Sequence, residues 1–395
     1  MTPKKSRKPS IQNKDLWKRV SPASAPIFQT SVYNYPDLET LDDYYNGKIP
    51  DGYIYSRNGL PNAEALAKRV AQLEETEKGV VCSSGMAALF VALGSNLQSG
   101  SRIVASSDLY GGTIVLLRDE LPRFGIETLF VDATAPETFE NVVETEAANV
   151  FLVETISNPT MKVCDIREIV KIAHRSSAEV IVDNTFATPF VLRPHRLGAD
   201  IVMHSGTKSL GGHSDVTIGV LCGNNDLMTQ ASRFNTRIGA IAGPFDCWLA
   251  TRSLSTWKIR TEVSCKNAVK LAKFLQDNTS KIVSVNYPGL DSHPQHNLAT
   301  ELFTDKMYGS MLSFNLKGGF NEANTFIKKL KKVTLTPSLG SVKTTISHPS
   351  KTSHRHLTEE QKRAAGITDS MIRVSVGIED YNEIEADFKN ALQKT

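Results

Sequence analysis

The sequence predicts an α/β fold: a mostly parallel sheet with helices on both faces, followed by a smaller C-terminal α/β unit. Three observations point there. Between residues 61 and 255, stretches of helical periodicity alternate with short β-branched runs, the pattern of strand, crossover helix and parallel strand. Beyond residue 255 the pattern changes to one long helical stretch, three more strand-like runs and a closing helix. The length, 395 residues, exceeds what one compact core accommodates and fits two or three structural units.

In chain order, residues 1–60 hold few periodic runs and many Tyr, Pro and Asp, which predicts an extended arm. Its basic cluster, Lys4, Lys5, Arg7 and Lys8, lies in a Pro- and Ser-containing leader and reads as a solvated tail. Helices are predicted over 63–75 and Ile166–Arg175, and strands over 80–82, 103–105, 128–131, 150–153, 180–182, 201–203 and 217–221. In the C-terminal part a helix reaches residue 275, strands follow at 282–287, Met311–Leu316 and 372–376, and a helix closes the chain over 382–393. The sequence contains no internal repeat and no low-complexity tract.

The chemistry concentrates after the run 201–203, in His204-Ser205-Gly206-Thr207-Lys208-Ser209-Leu210-Gly211-Gly212. A lysine in such a turn can form an imine with a carbonyl cofactor, and the hydroxyls of Ser205 and Thr207 suit a phosphate. Pyridoxal phosphate (PLP) has both groups. It works as an electron sink only with its ring nitrogen protonated, which calls for a carboxylate. Asp183 supplies one at the end of the apolar run 180–182, 25 residues before Lys208. In a parallel sheet the carboxyl ends of neighbouring strands converge on one crevice, so the two can face one ring. Taken alone, Asp183 equally suits a turn or a helix cap.

Upstream, 80–82 followed by Ser83-Ser84-Gly85 and an Ala-rich stretch predicts a strand, a turn and a helix start, where free N–H groups bind anions. Ser84, Gly85 and Met86 are the phosphate-binding candidates, with a plain N-cap as the bland reading of Ser84. Tyr55 and Arg57, two residues apart, can share one side of an extended segment.

Together these stretches resemble the Cys/Met-metabolism (trans-sulfuration) family of PLP enzymes, which includes cystathionine γ-synthase, cystathionine lyases, methionine γ-lyase and O-acylhomoserine sulfhydrylases. The resemblance is carried by Tyr55-Ser56-Arg57 and by the segments 83–88, 108–113, 154–160, 182–186, 203–215, 287–296 and 364–380, in the family's order. It implies the PLP-dependent transferase fold (aspartate-aminotransferase-like, fold type I). Residues 1–60 would form an arm contributed to a neighbouring subunit, 61–255 the PLP-binding domain and 256–395 a C-terminal domain.

The resemblance also implies roles. Lys208 would hold the cofactor and then move protons between substrate carbons, with Tyr110 stacked on the ring and assisting at the leaving group. Asp183 would pair with the ring nitrogen, and Thr185 would belong to the same cofactor shell. Asn158 would touch the ring hydroxyl or the substrate carboxylate, Arg373 would clamp that carboxylate, and Ser338 would line the substrate side. Tyr55 and Arg57 would reach the cofactor phosphate of a neighbouring subunit, which implies a homotetramer of two catalytic dimers. Leu60 and Asn62 depart from the family's usual Asn and Thr.

A net charge of +3 does not suggest nucleic-acid binding, no segment has the apolar length to span a bilayer, and five cysteines without CxxC spacing argue for reduced thiols in a cytoplasmic protein. His348, His354 and His356 sit in what reads as a polar loop, and no metal is expected. A dinucleotide-binding protein is disfavoured because no G-x-G-x-x-G follows a strand.

The expected reaction is γ-replacement or γ-elimination on O-acyl-homoserine or cystathionine-type substrates, as in cystathionine γ-synthase. The alternatives are a cystathionine β- or γ-lyase, a methionine γ-lyase or an O-acetylhomoserine sulfhydrylase. Thr113 stands where methionine γ-lyases usually carry cysteine. Members that handle cystathionine usually carry an acid near the position of Lys343; either the lysine reverses the charge at the distal pocket and favours an acyl-homoserine with an anionic or neutral tail, or it points to solvent.

Overall fold

The computed structural model describes residues 21–50, 52–355 and 357–395; the basic cluster at Lys4, Lys5, Arg7 and Lys8 and the side chain of His356 lie outside them. Seven strands form the larger sheet: β1 (Lys78–Cys82), β2 (Arg102–Ser106), β3 (Glu127–Val131), β4 (Val150–Glu154), β5 (Glu179–Asp183), β6 (Ile201–Ser205) and β7 (Gly219–Gly223). Their order is β1-β7-β6-β5-β4-β2-β3. The pairings from β3 to β6 are parallel, whereas β7 runs antiparallel to both β6 and β1. Strand β4 is buried along its whole length and β5 along its centre, which is why these runs are continuously apolar rather than alternating.

A helix, Trp257–Asp277, leads into the second sheet, made of β8 (Ile282–Asn286), β9 (Met311–Leu316), β10 (Thr334–Leu335), β11 (Thr345–Ser347) and β12 (Met371–Ser375) in the order β10-β11-β12-β9-β8. Leu271 and Leu275 of that helix share one apolar core with Val153 and Val182 of the first sheet and Phe314 and Phe388 of the second. The two sheets are thereby fastened to one wall.

The arm is not wholly extended: Leu38–Tyr45 is a helix, started by Asp37, whose carboxylate accepts a hydrogen bond from Thr40 N–H at 2.7 Å. Asn62 ties the arm down, accepting from Phe28 N–H and donating to Pro26 O, both at 2.9 Å. The polar loop expected around His348 and His354 is also corrected. Both are buried, His348 2.8 Å from Asp369 O, because the turn Pro349–Lys351 folds back beneath β12.

His354 and the equally buried His293 are the titratable weak points of this core. Burial lowers both from 6.5 to about 4. The unfolded chain takes up these protons as pH falls through 6.5, whereas the folded chain refuses them until about pH 4. Their stabilisation is therefore complete above 6.5 and drains as the pH falls toward 4. Urea unfolding should show a loss of roughly 2 kcal/mol per histidine between pH 7.5 and pH 5, and His293→Gln should flatten that slope.

Candidate active site

Register assembles the floor of the site. Glu154 lies opposite Asp183 across β4 and β5, and Asp183 opposite Met203 across β5 and β6. Three strand ends thus open onto one crevice. Asp183 is fixed by the turn that follows it, accepting from Thr185 N–H at 2.9 Å, while Thr185 Oγ1 accepts from Ser205 N–H at 2.8 Å. Behind the sheet His204 Nε2 stands 2.6 Å from Glu74 Oε1, which also accepts from Asn184 Nδ2 at 2.8 Å.

After β6 the chain turns back to β7 without a crossover helix, and Lys208 sits in that turn. Arg260, itself buried, donates to Ser209 O and Leu210 O at 3.0 and 3.2 Å and to Ser253 O of the helix Pro244–Leu254 at 2.9 Å, so two charge-assisted bonds hold the turn and a third anchors Arg260. The second sheet closes the other side: Lys208 Nζ lies 3.5 Å from Ser338 Oγ, and a Cβ on Gly340 would stand 2.5 Å from Ser209 N, a closeness that only glycine permits.

Twelve of the fourteen residues that the sequence singles out line one cavity of about 620 Å³: Ser84, Gly85, Met86, Tyr110, Asn158, Asp183, Thr185, Ser205, Thr207, Lys208, Ser338 and Arg373. Ser84 caps the helix Gly85–Asn96 by accepting from Ala87 N–H at 3.0 Å, so the N-cap and the anion-facing turn are one feature. Gly85 packs so tightly on Ser205 that a Cβ would lie 2.8 Å from the serine Cβ. Ser205 Oγ makes no hydrogen bond among the described residues, whereas Thr207 Oγ1 is occupied, donating to Ile218 O at 3.2 Å and accepting from Ile218 N–H at 2.9 Å. Arg373 is buried, donating to Asn158 Oδ1 at 2.9 Å and to Ser338 O at 3.3 Å.

Tyr55 and Arg57 do not reach this cavity. Tyr55 is exposed, and the Arg57 guanidinium lies over its ring and donates to Thr236 O at 3.1 Å. Lys343 is exposed as well and does not line the cavity. Sequence reasoning missed Glu154, whose Oε1 accepts from Tyr110 N–H at 2.6 Å. The signal was there, since an acid ends the run 150–153 just as Asp183 ends 180–182. It also missed Lys351 and Arg355, which line the cavity from the second sheet's side.

Burial dominates the electrostatics. It lowers the Lys208 amine, helped by the positive field of Arg373. It raises the Asp183 carboxyl, opposed by the hydrogen bonds of Thr185 and by His204. Glu154 is held well above the ordinary range, first by burial and then by the Asp183 charge, despite the N–H groups of Tyr110 and Asn158. Of the two adjacent carboxyls, Glu154 is the one pushed further toward its neutral form.

The donor set fits PLP. A helix N-terminus with the free Ser205 hydroxyl suits the phosphate, Asp183 suits a protonated ring nitrogen, Lys208 suits the aldehyde, and Arg373 remains for a substrate carboxylate.

Comparison with known proteins agrees. Residues 10–393 match the model of a family described as Cys/Met metabolism PLP-dependent enzyme. The chain is 41% identical over 372 residues, 93% of each chain, to L-methionine gamma-lyase of Fusobacterium nucleatum subsp. polymorphum. Cystathionine gamma synthase from Xanthomonas oryzae pv. oryzae superposes with a TM-score of 0.88 at 33% identity, covering 94% of this chain and 93% of that one. A putative O-acetylhomoserine (thiol)-lyase from Campylobacter jejuni superposes at 0.87 and 33% identity over 94% and 95% of the two chains, and carries N′-pyridoxyl-lysine-5′-monophosphate.

Glu154→Gln keeps an acceptor for Tyr110 N–H and mimics a neutral acid, so it should unfold at nearly the wild-type urea concentration. Glu154→Ala strands that N–H and should lose about 1–3 kcal/mol. Equal losses in both variants would show that Glu154 is held ionised.

Proposed function

The chain belongs to the Cys/Met metabolism family of PLP-dependent enzymes, and on that premise we propose that it makes or breaks a carbon–sulfur bond at Cγ of a homoserine-derived amino acid, by γ-replacement or γ-elimination. The observation that carries this is the convergence of Lys208, Asp183 and Arg373 on one cavity.

Bound PLP supplies an electron sink that stabilises negative charge next to the substrate amine. The protein does the rest. Arg373 binds the α-carboxylate through its buried guanidinium, held in plane by Asn158 and Ser338. Asp183, steadied by Thr185, keeps a charged acceptor on the floor. Lys208, with its amine pKa lowered, would act as the base that takes the proton from Cα and, once that proton has been passed on, a proton from Cβ, whose electron pair then expels the γ-substituent; its Nζ lies 3.5 Å from Ser338 Oγ on the substrate side. The Tyr110 ring, partly exposed in the cavity and fixed at its backbone by Glu154, would cover bound PLP and assist proton transfer at the leaving group. Buried Thr113 lines the same wall, where methionine γ-lyases usually carry cysteine, which favours an activated homoserine or cystathionine over methionine.

Tyr55 and Arg57 face away from their own cavity and lie on an arm with exposed Ile27, Phe28, Val32 and Leu38, a surface suited to a second copy of the chain. The arm would place both residues at a neighbour's phosphate, in a homotetramer of two catalytic dimers working in the cytoplasm. Among the described residues no helix is long and apolar enough to cross a membrane.

Purified protein should absorb visible light, lose that absorbance on borohydride treatment and carry the reduced label on Lys208; Lys208→Ala should show neither label nor turnover. A panel of homoserine esters with cysteine or sulfide, set against cystathionine and methionine alone, identifies the reaction. Arg57→Ala and Lys208→Ala chains expressed separately should each be impaired. Co-expressed, they should regain activity, because mixed dimers hold one site with both residues intact. Failure to regain it would place Arg57 outside the neighbouring site.

A further inference from the structure

The cavity carries more positive charge at its mouth than the floor chemistry uses. Six ionisable residues besides Tyr110 line it: Glu154, Asp183, Lys208, Lys351, Arg355 and Arg373. Four of these form the floor and the carboxylate clamp. The other two come from the segment after Pro349, which the structure pins from two sides. The Ser353 carbonyl packs against Gly111 so closely that a Cβ there would clash with its oxygen, so the segment leans on the turn that presents Tyr110. Buried His354 bonds to the backbone of Asn158 and lies in the field of Arg373.

Arg355 follows His354 directly and is exposed at the rim. Among the described residues its guanidinium has no hydrogen bond and no carboxylate partner; only its backbone N–H is engaged, with Thr352 O at 3.3 Å. Lys351 rests its ammonium over the Phe320 ring, 5.2 Å from the centroid, which holds the charge without neutralising it. The two acids of the cavity, buried Glu154 and half-buried Asp183, both sit on the floor. A substrate with one carboxylate occupies Arg373 alone and leaves Arg355 unmatched.

We propose that Arg355, supported by Lys351, is an anion subsite for the distal end of the substrate, and that the preferred γ-substituent carries its own negative charge, as a dicarboxylic half-ester or a phosphate ester does. This rests on the reading of the enzyme as one acting at Cγ of homoserine derivatives. A guanidinium offers two parallel donors to carboxylate and phosphate alike. At a solvent-facing rim, such a contact acts on capture and is screened by salt.

The test compares O-succinyl-, O-phospho- and O-acetyl-L-homoserine on the holoenzyme. The wild type should prefer at least one anionic ester over the acetyl ester by about tenfold in kcat/KM, through KM, and rising salt should erode that preference. Arg355→Gln should bring the ratio toward one, while Lys343→Ala, outside the cavity, should leave it as in the wild type. Calorimetric binding of succinate or phosphate to the holoenzyme should weaken in Arg355→Gln, and the succinyl and phospho arms distinguish the two anions. A wild type that prefers the acetyl ester, or a ratio that Arg355→Gln does not move, overturns the subsite and leaves the reaction class intact. Turnover of no ester and no thioether overturns the reaction class, and the subsite with it.

Discussion

One pairing register governs the rest: Glu154 opposite Asp183, and Asp183 opposite Met203. Side chains alternate along a strand, so a slip of one residue in β5 would send Asp183 to the far face and bring a valine to the floor. The register is secured by burial. Val150, Phe151, Leu152 and Val153 are buried on β4, and Val180, Ile181 and Val182 on β5, so any slip exchanges acids with apolar residues inside the protein. The site is thus a consequence of where the apolar runs stop.

Holding a carboxylate there requires support from behind. His204 points away from the cavity, between Met203 and Ser205 that point into it, and bonds to fully buried Glu74, which also receives Asn184. Asn184 in turn accepts from Thr155 at 2.8 Å. The residues flanking Asp183 and Glu154 in sequence are therefore tied together on the opposite face, and the field of His204 favours the charged form of Asp183. Breaking a buried pair of this sort leaves an uncompensated polar group, a cost of a few kcal/mol. Fold stability and site electrostatics rest on the same bonds.

The legible parts of the sequence were those where one physical cause acts alone. Apolar β-branched runs located the strands of the main sheet, and the ends shifted by a residue or two because Glu154, Asp183 and Ser205 belong to the strands as well as to the site. Short polar elements were not legible: β10 and β11 span two and three residues, and only pairing with β12 and with each other makes them strands. The arm helix Leu38–Tyr45 buries no residue and so left no core-facing signature. Asp183 stood out because a lysine turn gave it a partner, whereas Glu154, with the same position on the next strand, had none visible in sequence. Its partner is a backbone N–H, which every residue has.

Charge at the distal end shows where sequence reasoning stops. Lys343, Lys351 and Arg355 are all cations within thirteen residues, and spacing alone cannot say which faces the cavity. The fold decides through two contacts, Ser353 on Gly111 and His354 on Asn158, which turn the second half of that segment inward and leave Lys343 outside. The same division separates chemistry from specificity. The floor is built from strand ends whose geometry is fixed by a shared core, and it cannot change without unsettling the sheet. The rim is a loop on the second sheet's side, where Lys351 rests on the Phe320 ring and the Arg355 guanidinium has no partner among the described residues. Arg373, buried and bonded on two sides, keeps its direction whatever binds, whereas Arg355 gains a partner only from what enters. Selection among substrates that share an α-amino acid head therefore falls to the rim, at little cost to the machinery below.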